Sequence, residues 1–131
     1  MCYKNRDLKN IALLVKLGIS AGQLRAALKR FKMRFSGKPK SWFYRCKLRL
    51  IDVSPAPKPN MWIVRGRASL GDREAFYIVT FHPRGRLYNC TCYDPKKLFA
   101  SSRMKQTCTH VGSVILWRMI KERSIYDFLD L

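Results

Sequence analysis

The chain has 131 residues and a formal charge of +19, from 27 Lys plus Arg against 8 Asp plus Glu. This length fits one domain, or a small domain with an N-terminal appendage, and a hydrophobic content of 47% excludes a disordered chain. The longest apolar runs, IALLV and VILW, are too short to cross a bilayer, which needs about 20 residues. A strongly positive field attracts polyanions, so nucleic acid is the first expected partner and an anionic membrane surface is the second.

Two helices are predicted in residues 1–40, which hold eleven basic residues and one acid and therefore carry a charge of +10. The first segment is predicted to be a helix because its apolar residues recur at helical spacing. Asp7 is expected to cap its start, and Gly18 to end it. Residues 20–23 have the S-x-x-Q form of a capping box. This motif predicts the start of a second helix, over about residues 21–35.

The second helix carries basic residues on both flanks of its apolar face: Arg25, Lys29 and Lys32 on one flank, and Arg30 and Arg34 on the other. Two interpretations fit this pair of helices. In one, the pair is a helix-turn-helix with a glycine in the turn, and the second helix enters the major groove of DNA. In the other, the pair is a helical hairpin packed on the rest of the protein, with a solvated basic face.

Residues 42–51, with the sequence WFYRCKLRLI, alternate between apolar and basic side chains. This period of two predicts a half-buried strand. One face of the strand would present Arg45, Lys47 and Arg49, and the other would bury Cys46 in the core as a small hydrophobe. The basic strand face is a second candidate surface for nucleic acid.

Three more strands are predicted at residues 61–68, 75–81 and 87–90, separated by turns at residues 70–73 and 83–85. The turn segments contain the Gly, Pro and Asp residues that favour such reversals. With residues 42–51, these segments would form a small antiparallel sheet of three or four strands.

Four residues, the first of them at the end of the last strand, form two close pairs: Cys90 with Cys92, and Cys108 with His110. Their pattern is C-x-C, fifteen residues, C-x-H. Three thiolates and one imidazole make a closed tetrahedral ligand set that is typical of structural zinc. Disulfides are disfavoured because the five cysteines are an odd number and no signal-peptide pattern is present. A Cys–His nucleophile is disfavoured because no orienting third group is evident. We therefore predict one structural Zn²⁺ per chain.

The spacing within each pair predicts the local structure around the metal. Residues i and i+2 point to the same face of a strand, so Cys90 and Cys92 can bind one ion from a strand end. In a helix the same spacing is about 200° apart, so Cys108 must precede a helix whose first turn carries His110. That helix, over about residues 110–122, is apolar nearly all round and is expected to be the core helix.

The fifteen residues between the pairs carry Lys96, Lys97, Arg103 and Lys105 among two aromatic residues. Basic residues interleaved with aromatics suit phosphate contact and base stacking, but they can equally screen the charge of a zinc tris-thiolate site. Both uses remain open at this stage. Short helices are predicted over residues 96–100 and 124–131, each after a capping signal.

The metal motif resembles the SWIM zinc finger, whose signature is CxC, a variable spacer, and CxH followed by an apolar helix. Here that helix reads VGSVILWRMI, and the resemblance extends over about residues 61–122. SWIM modules are associated with Mutator-type transposases, chromatin-remodelling ATPases and recombination cofactors. The resemblance therefore implies binding of DNA or of protein partners and does not itself imply catalysis.

The predicted fold class is α+β: an N-terminal helical hairpin, a small antiparallel sheet, and a zinc site that joins the last strand to a buried C-terminal helix. We expect two parts, a basic helical hairpin over residues 1–40 and a strand-rich zinc-binding domain over residues 41–131. The expected function is DNA binding in a reducing intracellular compartment, and the alternative is a protein–protein adaptor in a recombination, transposition or transcription complex. An enzyme is not expected, because the few acidic residues show no two-metal carboxylate cluster.

Overall fold

The computed structural model of the chain describes residues 5–94, 96, 101, 104–105 and 107–122, with side chains from residue 11 onward. The helices are α1 (Asn5–Leu17), α2 (Ala21–Arg34), α3 (Lys40–Arg49) and α4 (Thr109–Lys121), and the strands are β1 (Val53–Pro55), β2 (Met61–Arg65), β3 (Phe76–His82) and β4 (Leu87–Cys90). These elements confirm the predicted α+β class. The short helices predicted over residues 96–100 and 124–131 fall largely or wholly outside the described residues, as do Lys97 and Arg103.

Helices α1 and α2 meet at a three-residue turn, as the local signals predict. Gly18 takes a left-handed φ of 67°, which glycine adopts without steric cost, and it ends α1. The Ser20 hydroxyl accepts a hydrogen bond from the Gln23 backbone N–H, and the Gln23 side chain accepts one from the Ser20 N–H, so the capping box is confirmed. In the described part of the chain no single helix is long and apolar enough to cross a membrane; one pair, Ile11–Leu17 and Ala21–Arg34, passes on length and composition but is bent by 88°.

The segment predicted as the first strand, residues 42–51, forms helix α3 and a following 3₁₀ turn instead. The strand prediction was wrong because the segment carries a helical period as well as a period of two. Trp42, Cys46 and Arg49, spaced i, i+4 and i+7, are all buried along one side of α3. Packing of this side against α4 decides between the two periods.

The sheet is a four-stranded antiparallel meander in the order β1-β2-β3-β4, and β1 takes the first position that residues 42–51 do not fill. β1 is a short edge strand that ends at Pro55, where a missing N–H is tolerated. The register pairs Val53 with Val64, Val64 with Tyr77, and Val79 with Cys90. All of these residues are buried on one face of the sheet, so Cys90, the first predicted ligand, lies on the face that packs into the core.

Helix α4 occupies the centre of the core, in contact with all four strands and with α2 and α3. It is buried from His110 to Leu116, which confirms the prediction of a core helix. The closest approach to α3 is at Gly112, where a Cβ atom would lie 2.5 Å from Cys46 Sγ and 2.9 Å from the Trp42 ring. On its other side Trp42 stacks on Phe31 of α2, with ring centroids 5.5 Å apart. Trp42 of α3 therefore contacts both α2 and the core helix, which also touch each other directly.

Candidate metal centre and basic surface

The four predicted ligands come from two places in the fold. Cys90 is the last residue of β4, and Cys92 lies in the 3₁₀ turn Thr91–Tyr93 that follows. Cys108 is the N-cap of α4, and His110 is in the first turn of that helix, as the spacing of the pair predicts. The antiparallel sheet and the core helix meet where these four side chains converge.

The ligand atoms of the four residues all lie within 4.8 Å of one another, and Cys90 Sγ is 3.8 Å from His110 Nδ1. Bond lengths of about 2.3 Å for Zn–S and about 2.0–2.1 Å for Zn–N place a sulfur and a nitrogen of one tetrahedral site about 3.6 Å apart. All four residues are buried. The cluster therefore fits a single metal ion.

Protein groups around the sulfurs favour a bound cation. Backbone N–H groups of Cys92 and Val111 donate to Cys90 Sγ and Cys108 Sγ, at 3.5 and 3.4 Å. The pKa of Cys90 is raised because its thiol hydrogen-bonds with Cys108 and Cys92 and because it is buried. Burial opposes ionisation of Cys108 too, but hydrogen bonds from Cys90, Cys92 and His110 bring the pKa of Cys108 well below its usual value. The pKa values of Cys90 and Cys108 thus shift in opposite directions among protein groups alone, whereas a bound cation would stabilise both thiolates.

The ring of His110 is oriented by two neighbours. Its Nε2 lies 2.9 Å from Asp72 Oδ1, which leaves Nδ1 directed at the sulfurs. The ring of Tyr77 stacks on the imidazole with centroids 3.9 Å apart. Burial lowers the pKa of His110, but the hydrogen bond to Asp72 and contacts with the cysteines raise it to about 10 overall. A carboxylate on the second ring nitrogen is the usual partner of a metal-binding histidine.

Asp72 is a functional residue that the sequence does not reveal, because it reads as an ordinary turn residue. Its side chain is 2% exposed and accepts hydrogen bonds from Arg49 Nη1 at 2.5 Å and Nη2 at 3.0 Å. It also accepts from the Arg67 backbone N–H at 2.8 Å. Burial raises the pKa of the Asp72 carboxyl, but hydrogen bonds from His110 and Arg49 hold it well below the usual range. The carboxylate therefore connects α3 to the metal cluster.

The third ligand follows a residue in an unusual backbone conformation. Thr107 has a φ of 60°, in the left-handed region that β-branched residues rarely adopt. Its carbonyl oxygen accepts a 2.9 Å hydrogen bond from Trp42 Nε1, and the Cys108 N–H donates to the Tyr93 hydroxyl at 3.2 Å. Contacts from α3 and from the turn after β4 thus hold the chain where it enters α4.

Cys46 stays outside the cluster, as expected. It is fully buried beside Gly112, and burial raises the pKa of its thiol. It therefore serves as a core side chain and not as a ligand.

The predicted basic residues lie on several elements of the fold. On α2 the exposed residues are Arg25, Lys29, Lys32 and Arg34, and Arg30 is half-buried. On α3 Arg45 is exposed and Lys47 is half-buried. After β4 the exposed residues are Lys96 and Lys105. The placement of Arg49 on a basic strand face is corrected, because its guanidinium is buried against Asp72 and donates to Thr109 Oγ1 at 2.8 Å. A buried, paired guanidinium is not available to a phosphate.

No protein-family model, curated protein or solved structure matches this chain.

Proposed function

We propose that the cluster binds one Zn²⁺ as a structural ion within a SWIM-type zinc finger. Three sulfur donors and one imidazole form a ligand set that zinc commonly takes, and four protein ligands fill a tetrahedral shell without leaving a coordination position for a substrate. The CxC pair at a strand end and the CxH pair at a helix start support the SWIM assignment. The bound ion would supply folding free energy by holding the end of β4 to α4.

We further propose that the protein binds nucleic acid, with DNA favoured, through helix α2. The observation that carries this proposal is the row Arg25, Lys29 and Lys32, which is exposed along one flank of the buried apolar face of α2. The 88° bend between α1 and α2 is close to the 90–120° that joins the two helices of a helix-turn-helix. These features support a helix that meets the phosphate backbone of a duplex.

Replacing Arg25, Lys29 and Lys32 together with Ala tests this proposal. Each neutralised phosphate contributes about −0.9 to the slope of log K against log salt, so we expect the slope to flatten by up to about 2.7. Fluorescence anisotropy on a labelled duplex at several salt concentrations measures it. The matched control replaces Lys58, Arg65 and Arg84, three exposed basic residues of the sheet and its loops, with Ala. Its salt slope should stay steeper than that of the α2 triple variant.

Two outcomes would contradict the proposal. A slope that falls equally in both triple variants would mean that only net charge matters and that α2 has no special role. A wild-type protein that binds no duplex at low salt would remove the proposed role of α2, and if it bound no single strand either, the adaptor interpretation would take its place.

A further inference from the structure

A groove between α2 and α3 combines an apolar floor with a rim of cations. Its volume is about 590 Å³, within the range of ligand-binding clefts. On the α3 side it is lined by Lys40, Phe43, Tyr44 and Lys47, which are spaced i, i+3, i+4 and i+7 and so share one side of the helix. The opposite wall consists of Leu28, Lys32 and Ser36. None of the lining residues is acidic.

Two aromatic rings in this groove differ in exposure. Phe43 is half-buried and packs edge-on against Phe31 and Trp42, with centroids 5.7 and 5.3 Å away, so its ring is held by the core. Tyr44 is 62% exposed, so one face of its ring is open to solvent within the groove. An exposed ring beside three lysines is the arrangement that single-stranded nucleic acids use, with bases stacked on the ring and phosphates held by the cations.

We propose that the α2–α3 groove binds an unpaired stretch of nucleic acid, with a base stacked on Tyr44 and the flanking phosphates on Lys32, Lys40 and Lys47. The inference rests on the proposed nucleic-acid function and adds to the duplex contact of α2 a second site, specific for unpaired bases. A paired base is stacked between its neighbours and cannot reach the ring, so the groove discriminates against an intact duplex. Every base has a stacking face, so binding here does not depend on sequence.

Tyr44→Ala is the first test, measured by anisotropy with labelled oligothymidylate, oligouridylate and a duplex of equal length. We expect affinity for the two single strands to fall about five- to hundredfold and affinity for the duplex to stay within about twofold. Tyr44→Phe keeps the ring and should bind like the wild type. The control Phe76→Ala removes an aromatic ring of similar exposure from the start of β3 and should change neither affinity. The oligouridylate arm shows whether RNA is accepted as well as DNA.

Lys40→Gln with Lys47→Gln is the second test, and both positions differ from the α2 row. Two lost phosphate contacts at about −0.7 each should flatten the salt slope for the single strand by up to about 1.4. Lys58→Gln, a change of one exposed lysine in the loop before β2, should leave the slope unchanged.

Failure of this inference is distinguishable from failure of the proposed function. If the α2 triple variant loses duplex affinity but Tyr44→Ala leaves single-strand affinity unchanged, the groove inference is overturned and the proposed function stands. The same holds if Tyr44→Ala weakens duplex and single strand equally, because duplex bases cannot stack on the ring. If the wild type binds neither form, both proposals are overturned.

Discussion

At the scale of single residues, the orientation of a ligand in the Cys/His cluster depends on a carboxylate that is not itself one of the four ligands. Asp72 holds the ring of His110 and at the same time pairs with the buried guanidinium of Arg49. Both contacts are shielded from solvent, so the loss of Asp72 would leave the Arg49 guanidinium buried without its carboxylate partner. One turn residue thus connects the orientation of a metal ligand to the packing of α3.

Asp72→Ala should weaken metal binding and folding together. Loss of an outer carboxylate typically costs about 10–100-fold in metal affinity, and a buried charge without its partner costs about 3–5 kcal/mol of stability. Competition with a chromogenic zinc chelator measures the first effect, and denaturant unfolding measures the second. As a control, Asp52→Ala removes the partner of the half-exposed Arg67 and should cost about 0–1 kcal/mol with unchanged zinc affinity. Equal zinc affinity in the Asp72 variant and the wild type would show that the carboxylate does not support the ligand.

At the scale of elements, α3 shows how one segment can satisfy two periodicities. Alternation of apolar and basic residues over 42–51 favours a strand, while Trp42, Cys46 and Arg49 also fall on one side of a helix. The helix prevails because that side meets three partners at once: Phe31 on α2, Gly112 on α4, and Asp72 before β3. No window of local sequence contains those partners.

Gly112→Ala should destabilise the contact between α3 and α4. The added Cβ would lie 2.5 Å from Cys46 Sγ and 2.9 Å from the Trp42 ring, so both helices must shift. Overpacking lowers the free energy of unfolding by about 1–3 kcal/mol, and the higher helix propensity of Ala offsets up to about 1 kcal/mol of that cost. We therefore expect the free energy of unfolding, measured with denaturant, to fall by about 1–2 kcal/mol.

The control and the rescue for this change lie in the same chain. At Gly22 of α2 the nearest atom to an added Cβ is 3.8 Å away, so Gly22→Ala should be neutral or stabilising by up to about 1 kcal/mol. Cys46→Ala combined with Gly112→Ala removes the closest clash and should recover part of the loss. Strict additivity of the two changes would contradict the direct contact.

At the scale of the whole molecule, the four-residue Cys/His cluster joins parts that are distant in sequence. It brings the end of the sheet to the start of the core helix, and α3 reaches it through Asp72 and through the Trp42 hydrogen bond to Thr107. Because α3 also packs on α2, we expect loss of the proposed ion to disturb the packing of α2, which carries the proposed nucleic-acid surface, as well as the site itself.

We expect the purified, reduced protein to contain one zinc per chain and to lose cooperative folding when a strong chelator removes it. Cys92→Ser should have the same effect, because structural zinc contributes folding free energy directly. Metal analysis together with thermal unfolding followed by circular dichroism measures both. Cys46→Ala, a buried cysteine outside the cluster, should retain one zinc and a cooperative transition. An unchanged melting temperature after chelation would refute a structural ion.

The sequence by itself determined the features that depend on neighbouring residues. The spacing of Cys90, Cys92, Cys108 and His110 predicts both the cluster and the strand end and helix start that present it. Gly18 and the capping box at Ser20 predict where α1 ends and α2 begins. These signals are reliable because the energy that selects the conformation arises within a few residues of the chain.

The tertiary structure alone decided the features that depend on distant partners. It made a helix of α3, buried Arg49 on Asp72, and placed that carboxylate on His110. It also left Tyr44 exposed beside the lysines of α2 and α3. Burial and ion pairing depend on which surfaces meet in three dimensions. Arg49 and His110, 61 positions apart in the sequence, both reach Asp72 only after the helices and the sheet have packed.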